Sequence, residues 1–106
     1  MWNSEDFNTS YDAIICTDVL EHIPTKYISS VLKNLHDNTN KICYLAIALF
    51  PDKFGNKILG KPLHLTVKKP NWWVDKIIHS GFKVIKKSLD RDDSGKDIWL
   101  HVFLTP

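Results

Sequence analysis

The apolar residues of this chain fall into blocks with two different periods. Ala13-Ile14-Ile15-Cys16 is a short unbroken run, and Thr17, Asp18, Glu21 and His22 follow it at once. A buried strand that delivers polar groups to a cleft has this pattern, so any chemistry belongs at its carboxyl end. Pro24 follows, then Tyr27, Ile28, Val31, Leu32 and Leu35 at helical spacing, with Lys26, Ser29, Ser30, Lys33 and Asn34 on the opposite side. This predicts an amphipathic helix over about 24–37, with Pro24 in its first turn and Asn38-Thr39-Asn40 as its stop. Residues 42–49 are almost all apolar, which predicts a strand covered on both faces, and strand, helix and strand together form a right-handed parallel unit. A second helix opens at Pro70-Asn71, buries part of Trp72, Trp73, Ile77 and Ile78, and stops at Gly81. Two adjacent tryptophans cannot face the same way on a helix, so one should anchor in the core while the other faces outward. Segments 82–89 and 97–104, separated by turn-forming residues 90–96, read as an antiparallel hairpin.

The resulting fold class is α/β, with about four strands and two helices. Two strands are parallel and joined by a crossover helix, and the last two form the hairpin. Residues 1–10 are polar apart from Trp2 and Phe7 and read as an irregular arm, in which either aromatic is a candidate lid. Residues 51–69 contain Pro51, Gly55, Gly60, Pro62 and five lysines, with only a brief alternation at Leu63, Leu65 and Val67. A long loop inside a compact domain tends to be a lid. It leaves the carboxyl end of the second strand, which brings His64 over the crevice that holds Asp18 and His22.

Composition narrows the function classes. A chain of 106 residues, 43% hydrophobic and 25% charged, can bury a single core and is expected to be one domain. No stretch approaches a membrane span and the first residues lack a signal-sequence pattern, so a cytoplasmic location is expected and a membrane partner is not. Cys16 and Cys43 lie in apolar runs without metal-type spacing and read as reduced core residues. The net charge of +2 does not by itself argue for nucleic acid.

Tyr11-Asp12-Ala13-Ile14-Ile15-Cys16 followed by Asp18-Val19-Leu20-Glu21-His22-Ile23 resembles the fourth strand and following loop of class I S-adenosylmethionine-dependent methyltransferases. Pro62-Leu63-His64-Leu65-Thr66 up to Trp72-Trp73, and Ser80-Gly81-Phe82-Lys83-Val84, resemble that family's late helix and sixth strand, and the closing hairpin its reversed seventh strand. The resemblance covers roughly 7–106 and only the family's second half, and it implies the strand order first, second, fourth, third across the sheet. The glycine-rich turn that cradles the cofactor in the first half has no counterpart, because none of Gly55, Gly60, Gly81 and Gly95 forms such a turn. The resemblance therefore implies a truncated Rossmann-like domain that binds S-adenosylmethionine weakly or not at all by itself.

By the same resemblance, Thr17 and Asp18 line the methionine end of the cofactor, and Leu20 and His22 approach the methyl group or the substrate. His22 and His64 are the candidate general bases, since a hydroxyl acceptor must lose a proton and imidazole titrates near neutrality. Glu21 is expected to turn away and cap the next helix. Asp18, Glu21, His22 and His64 also resemble, in residue type, the set with which small-RNA 2′-O-methyltransferases hold a divalent ion. The Asp-Val-Leu-Glu-His string occurs in relatives without metal, so the expectation is no metal, with a Mg²⁺ or Mn²⁺ site on these four groups as the alternative.

Three functions follow. The chain is expected to be a methyltransferase component completed by a glycine-loop half from elsewhere; the alternatives are a noncatalytic regulatory subunit and a nucleic-acid-binding module using the lysine-rich loop and the tryptophans. The edge strand running from Asp12 to Thr17, with no proline or lysine to blunt it, is expected to pair with a second copy or with a complementary half. Apolar surface around Val19 and Leu20 is expected to be wet.

Overall fold

The computed structural model describes residues 10–51 and 63–106. Their elements are β1 (Tyr11–Thr17), two short 3₁₀ turns (Leu20–His22 and Thr25–Tyr27), α1 (Ile28–Asn38), β2 (Thr39–Ala48), α2 (Pro70–His79), β3 (Lys83–Arg91) and β4 (Asp97–Thr105). The sheet order is β1-β2-β4-β3, as the resemblance implies. β1 runs parallel to β2, and β4 lies antiparallel between β2 and β3.

Both helices pack on one face of this sheet. Ile28, Leu32 and Leu35 of α1 recur at helical spacing and are fully buried, against Cys43, Leu45 and Ile47 of β2 and Leu100, Val102 and Leu104 of β4. On α2 the tryptophans divide as expected. Trp73 is fully buried, whereas Trp72 is half-buried with the ammonium groups of Lys68 and Lys76 each 5.5 Å from its ring centre. α1 ends where Asn38 donates to the Asn34 carbonyl and the Thr39 hydroxyl to that of Leu35. α2 ends at Gly81, whose φ of +111° closes the helix, and a Cβ there would lie 2.9 Å from the His36 ring on α1.

Four expectations need correction. Pro24 is extended (ψ 140°) and precedes the second 3₁₀ turn, so the α-helix begins only at Ile28. The hairpin turn is shorter than 90–96: β3 continues to Arg91, and the Asp92 carboxylate accepts from the Ser94 and Lys96 N–H groups and the Ser94 hydroxyl. These bonds hold the Asp92 carboxyl below its ordinary range. β2 is covered on both faces only toward its end, where Ala46 and Ala48 are buried as well as Leu45 and Ile47, and nearer its start the second face is open. Ile15, Tyr44 and Phe103 form a row across β1, β2 and β4 on the face away from both helices, with Ala13 and Ile42 beside it, and among the described residues no helix lies there. Finally, Leu20 is not wet: at 1% exposure it belongs to the core, and Val19 packs against that core. The wet apolar surface is the opposite face, where Ile15 is 74% exposed. The arm 1–9, with Trp2 and Phe7, and the lid residues 52–62 lie outside the described residues.

Candidate functional site

The site begins with the way β1 ends. Asp18 has a φ of 58°, a left-handed conformation that aspartate tolerates better than most residues, and its N–H still reaches the Ala46 carbonyl of β2. The chain thereby leaves the sheet sharply and enters the 3₁₀ turn Leu20–His22. Leu20 points into the core, so its expected contact with a cofactor can only be made through its backbone. Thr17 is exposed at the strand end, and the Asp18 side chain is also largely exposed.

Glu21 does not cap the next helix. Its side chain is fully buried, Oε1 accepts from the Ala48 N–H at 3.2 Å, and Oε2 has no partner among the described residues. The Glu21 carbonyl accepts from the N–H groups of both Leu65 and Thr66, at 2.8 and 3.0 Å. The Thr66 hydroxyl donates to the Ile23 carbonyl and receives the hydroxyl of Thr25. The part of the expected lid from 63 to 67 is thus docked on the turn after β1. Its alternation is inverted, with His64 and Thr66 buried and Leu63, Leu65 and Val67 facing out. Sequence reasoning missed Thr25, Thr66 and the Ala48 N–H. The alternation at 63–67 was the available signal for Thr66.

Docking brings both histidines together, with ring centres 4.8 Å apart and planes near perpendicular. His22 Nδ1 lies 3.0 Å from the Leu63 carbonyl and His64 Nδ1 lies 2.7 Å from the Phe50 carbonyl. A carbonyl oxygen only accepts, so each Nδ1 carries the hydrogen, and in the neutral ring each Nε2 presents a lone pair. His22 Nε2 is 3.5 Å from Asp18 Oδ1. Ligand atoms of Asp18, Glu21, His22 and His64 all lie within 4.8 Å of one another. Burial pushes the Glu21 carboxyl above its ordinary range, and Asp18 beside it pushes the same way, opposed by the N–H bonds it receives. Among the described residues no lysine or arginine pairs with either carboxylate. Four lone-pair-bearing groups converge without a cation, and such a set can bind protons or a cation. A neighbouring groove of about 480 Å³, lined by Leu49, Val67, Lys68, Lys69, Pro70, Lys96 and Asp97, contains none of the four.

No protein-family profile matches the sequence, and no curated protein matches it. Solved structures do. Magnesium protoporphyrin IX methyltransferase (ChlM) from Synechocystis PCC 6803, with bound S-adenosylhomocysteine (SAH), superposes with a TM-score of 0.63 at 20% identity, over 92% of this chain and 45% of that one. An S-adenosylmethionine-dependent methyltransferase from Mesorhizobium loti gives 0.72 at 11% identity, over 92% and 62%. An O-methyltransferase family protein from Burkholderia thailandensis gives 0.65 at 12% identity, over 94% and 32%. The chain spans less than two thirds of the length of each of these three. It carries the fold of part of an S-adenosylmethionine-dependent methyltransferase domain.

Proposed function

We propose that this chain is the acceptor-side part of an S-adenosylmethionine-dependent methyltransferase, and that Asp18, Glu21, His22 and His64 form its catalytic centre. The convergence of these four groups at the carboxyl ends of β1 and β2 carries the reading. Thr17 and Asp18 stand where the methionine end of the cofactor would pass. The Nε2 lone pairs of His22 and His64 are positioned to take a proton from an acceptor hydroxyl or amine as the methyl group arrives. Methyl transfer then needs a glycine-loop half supplied from elsewhere. The chain alone should bind S-adenosylmethionine no tighter than high micromolar, about 5 kcal/mol or less.

A second reading is favoured by the orphaned buried Glu21 Oε2 and by the absence of a cationic partner among the described residues. Two carboxylates and two imidazoles held by their Nδ1–H bonds fit a divalent ion such as Mg²⁺ or Mn²⁺. When bound, the ion would polarise an acceptor oxygen and lower its pKa. The histidines would then act as ligands rather than bases.

Calorimetric titration of the purified chain separates the two. Saturable Mn²⁺ binding that disappears in both Glu21→Gln and His64→Ala supports the metal-ligand reading. Absence of Mn²⁺ binding leaves the histidines as bases; His22→Ala and His64→Ala must then reduce methyl transfer in the completed assembly more than they reduce thermal stability. Parallel loss of both properties in those variants, or tight S-adenosylmethionine binding by the chain alone, would sink the corresponding part of the proposal.

A further inference from the structure

The groove beside the four-group centre carries charge that the centre does not use. Its volume is about 480 Å³, Leu49 and Val67 give it apolar walls, and Lys68, Lys69 and Lys96 line it together with Asp97. Asp97 is already committed, since its Oδ1 accepts from Arg91 Nε at 2.8 Å. Among the described residues none of the three lysines forms an ion pair. The lining therefore holds three positive charges, and its one carboxylate is neutralised by Arg91. A cleft of one sign with apolar walls focuses its field on whatever enters. The Lys68 ammonium is also restrained, 5.5 Å from the ring centre of Trp72.

The kind of cation and the number of charges select the ligand. Every cation of the lining is a lysine, a compact point charge with rotatable donors. None is an arginine, whose planar fork matches a planar carboxylate with two parallel bonds. Point charges converging from several directions suit a tetrahedral oxyanion. A phosphate monoester carries about −1.5 to −2 charges at pH 7, whereas a carboxylate or a phosphodiester carries one. The monoester comes closest to balancing three lysines.

The groove also adjoins the place where a methyl group would arrive. Leu49 directly follows Ala48, whose N–H binds Glu21 Oε1, and Val67 directly follows Thr66, whose N–H binds the Glu21 carbonyl. One step along the chain is about 3.8 Å, so groove and centre share their walls. A molecule anchored in the groove can present its other end to His22 and His64, and such anchoring supplies the orientation that a transfer step needs.

We propose that this groove is a phosphate subsite, in which Lys68, Lys69 and Lys96 hold a terminal phosphate of the molecule that accepts the methyl group. Its role toward the acceptor rests on the reading of the four-group centre given above. Phosphate binding itself does not.

The test is a titration of the isotopically labelled chain with phenyl phosphate, whose ring can lie on Leu49 and Val67, followed by amide chemical shifts at fixed pH and ionic strength. Saturable shifts at Val67, Lys68, Lys69 and Lys96 are expected, with a Kd of about 1 mM or below. Lys69→Gln combined with Lys96→Gln should weaken binding at least tenfold. Lys86→Gln, which alters an exposed lysine of β3 outside the groove, should leave it unchanged. All three side chains are exposed, and a thermal melt confirms that the variants fold. Trithymidylate without a terminal phosphate is the second ligand: binding tighter than that of phenyl phosphate keeps the phosphate subsite and assigns its source to a nucleic-acid strand. Benzoate bound as tightly as phenyl phosphate overturns the proposal. So does an absence of saturable binding, or a set of shifts spread evenly over the surface lysines. Failure on these readouts leaves the four-group centre untouched, because that reading is tested by methyl transfer in the histidine variants. Failure of the centre leaves phosphate binding in place and removes only the bound molecule's role as acceptor.

Discussion

The two faces of the sheet are built from the same strands and share almost no physics. Along β2, Cys43, Leu45 and Ile47 are fully buried beneath α1 and α2, while Ile42, pointing the other way, is 37% exposed. Along β4, Leu100, Val102 and Leu104 are buried and Phe103 between them is 37% exposed. The helices make one face a packed core and leave the other an apolar surface. Residues of equal hydrophobicity therefore contribute unequally, because burial rather than residue type carries the stabilisation.

That difference is largest for truncations. Leu45→Ala should destabilise the chain by about 2–5 kcal/mol, whereas Ile42→Ala should stay within about 1 kcal/mol. Urea unfolding measures both, and equal losses would show that the open face is packed after all. Gly81 tests how the helices are locked onto the covered face. Gly81→Ala must adopt a positive φ and press a Cβ against His36, which should reduce stability by roughly 1–3 kcal/mol. An unchanged melting temperature would mean that α1 and α2 are free to part.

The smallest expected effect is also the only one that depends on pH. Glu21 is fully buried with Oε1 on the Ala48 N–H, and its carboxyl is raised by burial. The folded state therefore binds a proton that the unfolded state releases near the ordinary glutamate range. Stability attributable to Glu21 is present below that range and is lost as pH rises through the higher folded value. In chelator-treated buffer, Glu21→Gln should flatten the fall in melting temperature as pH rises above the ordinary glutamate range, and raise the melting temperature beyond it. A steeper fall in the variant would show that the carboxylate is instead stabilised as an anion.

Much of this was legible in the residues. Period 3.6 at Ile28, Leu32 and Leu35 and the turn chemistry at 92–96 report local geometry, and parallel connection through a helix leaves few strand orders open. The approach of His64 to Asp18 and His22 was legible from where the 51–69 loop leaves the second strand, and the four-group set with Glu21 only through a family resemblance, since 41 residues separate His22 from its partner carbonyl at Leu63. Nothing in local sequence states that an extended segment will bury His64 and Thr66 and expose Leu63, Leu65 and Val67.

By itself the sequence determined the α/β class, the elements and their order, because backbone periodicity and turn propensity act over a few residues. Only tertiary structure decided which side of each apolar strand is dry, that Leu20 enters the core, and that Glu21 abandons a helix cap to sit buried against Ala48. Those outcomes depend on where helices and a distant segment come to rest, and an apolar run looks the same whether one of its faces is covered or both. The tautomers of His22 and His64 were settled the same way, by carbonyls of Leu63 and Phe50 that only the folded chain places beside them.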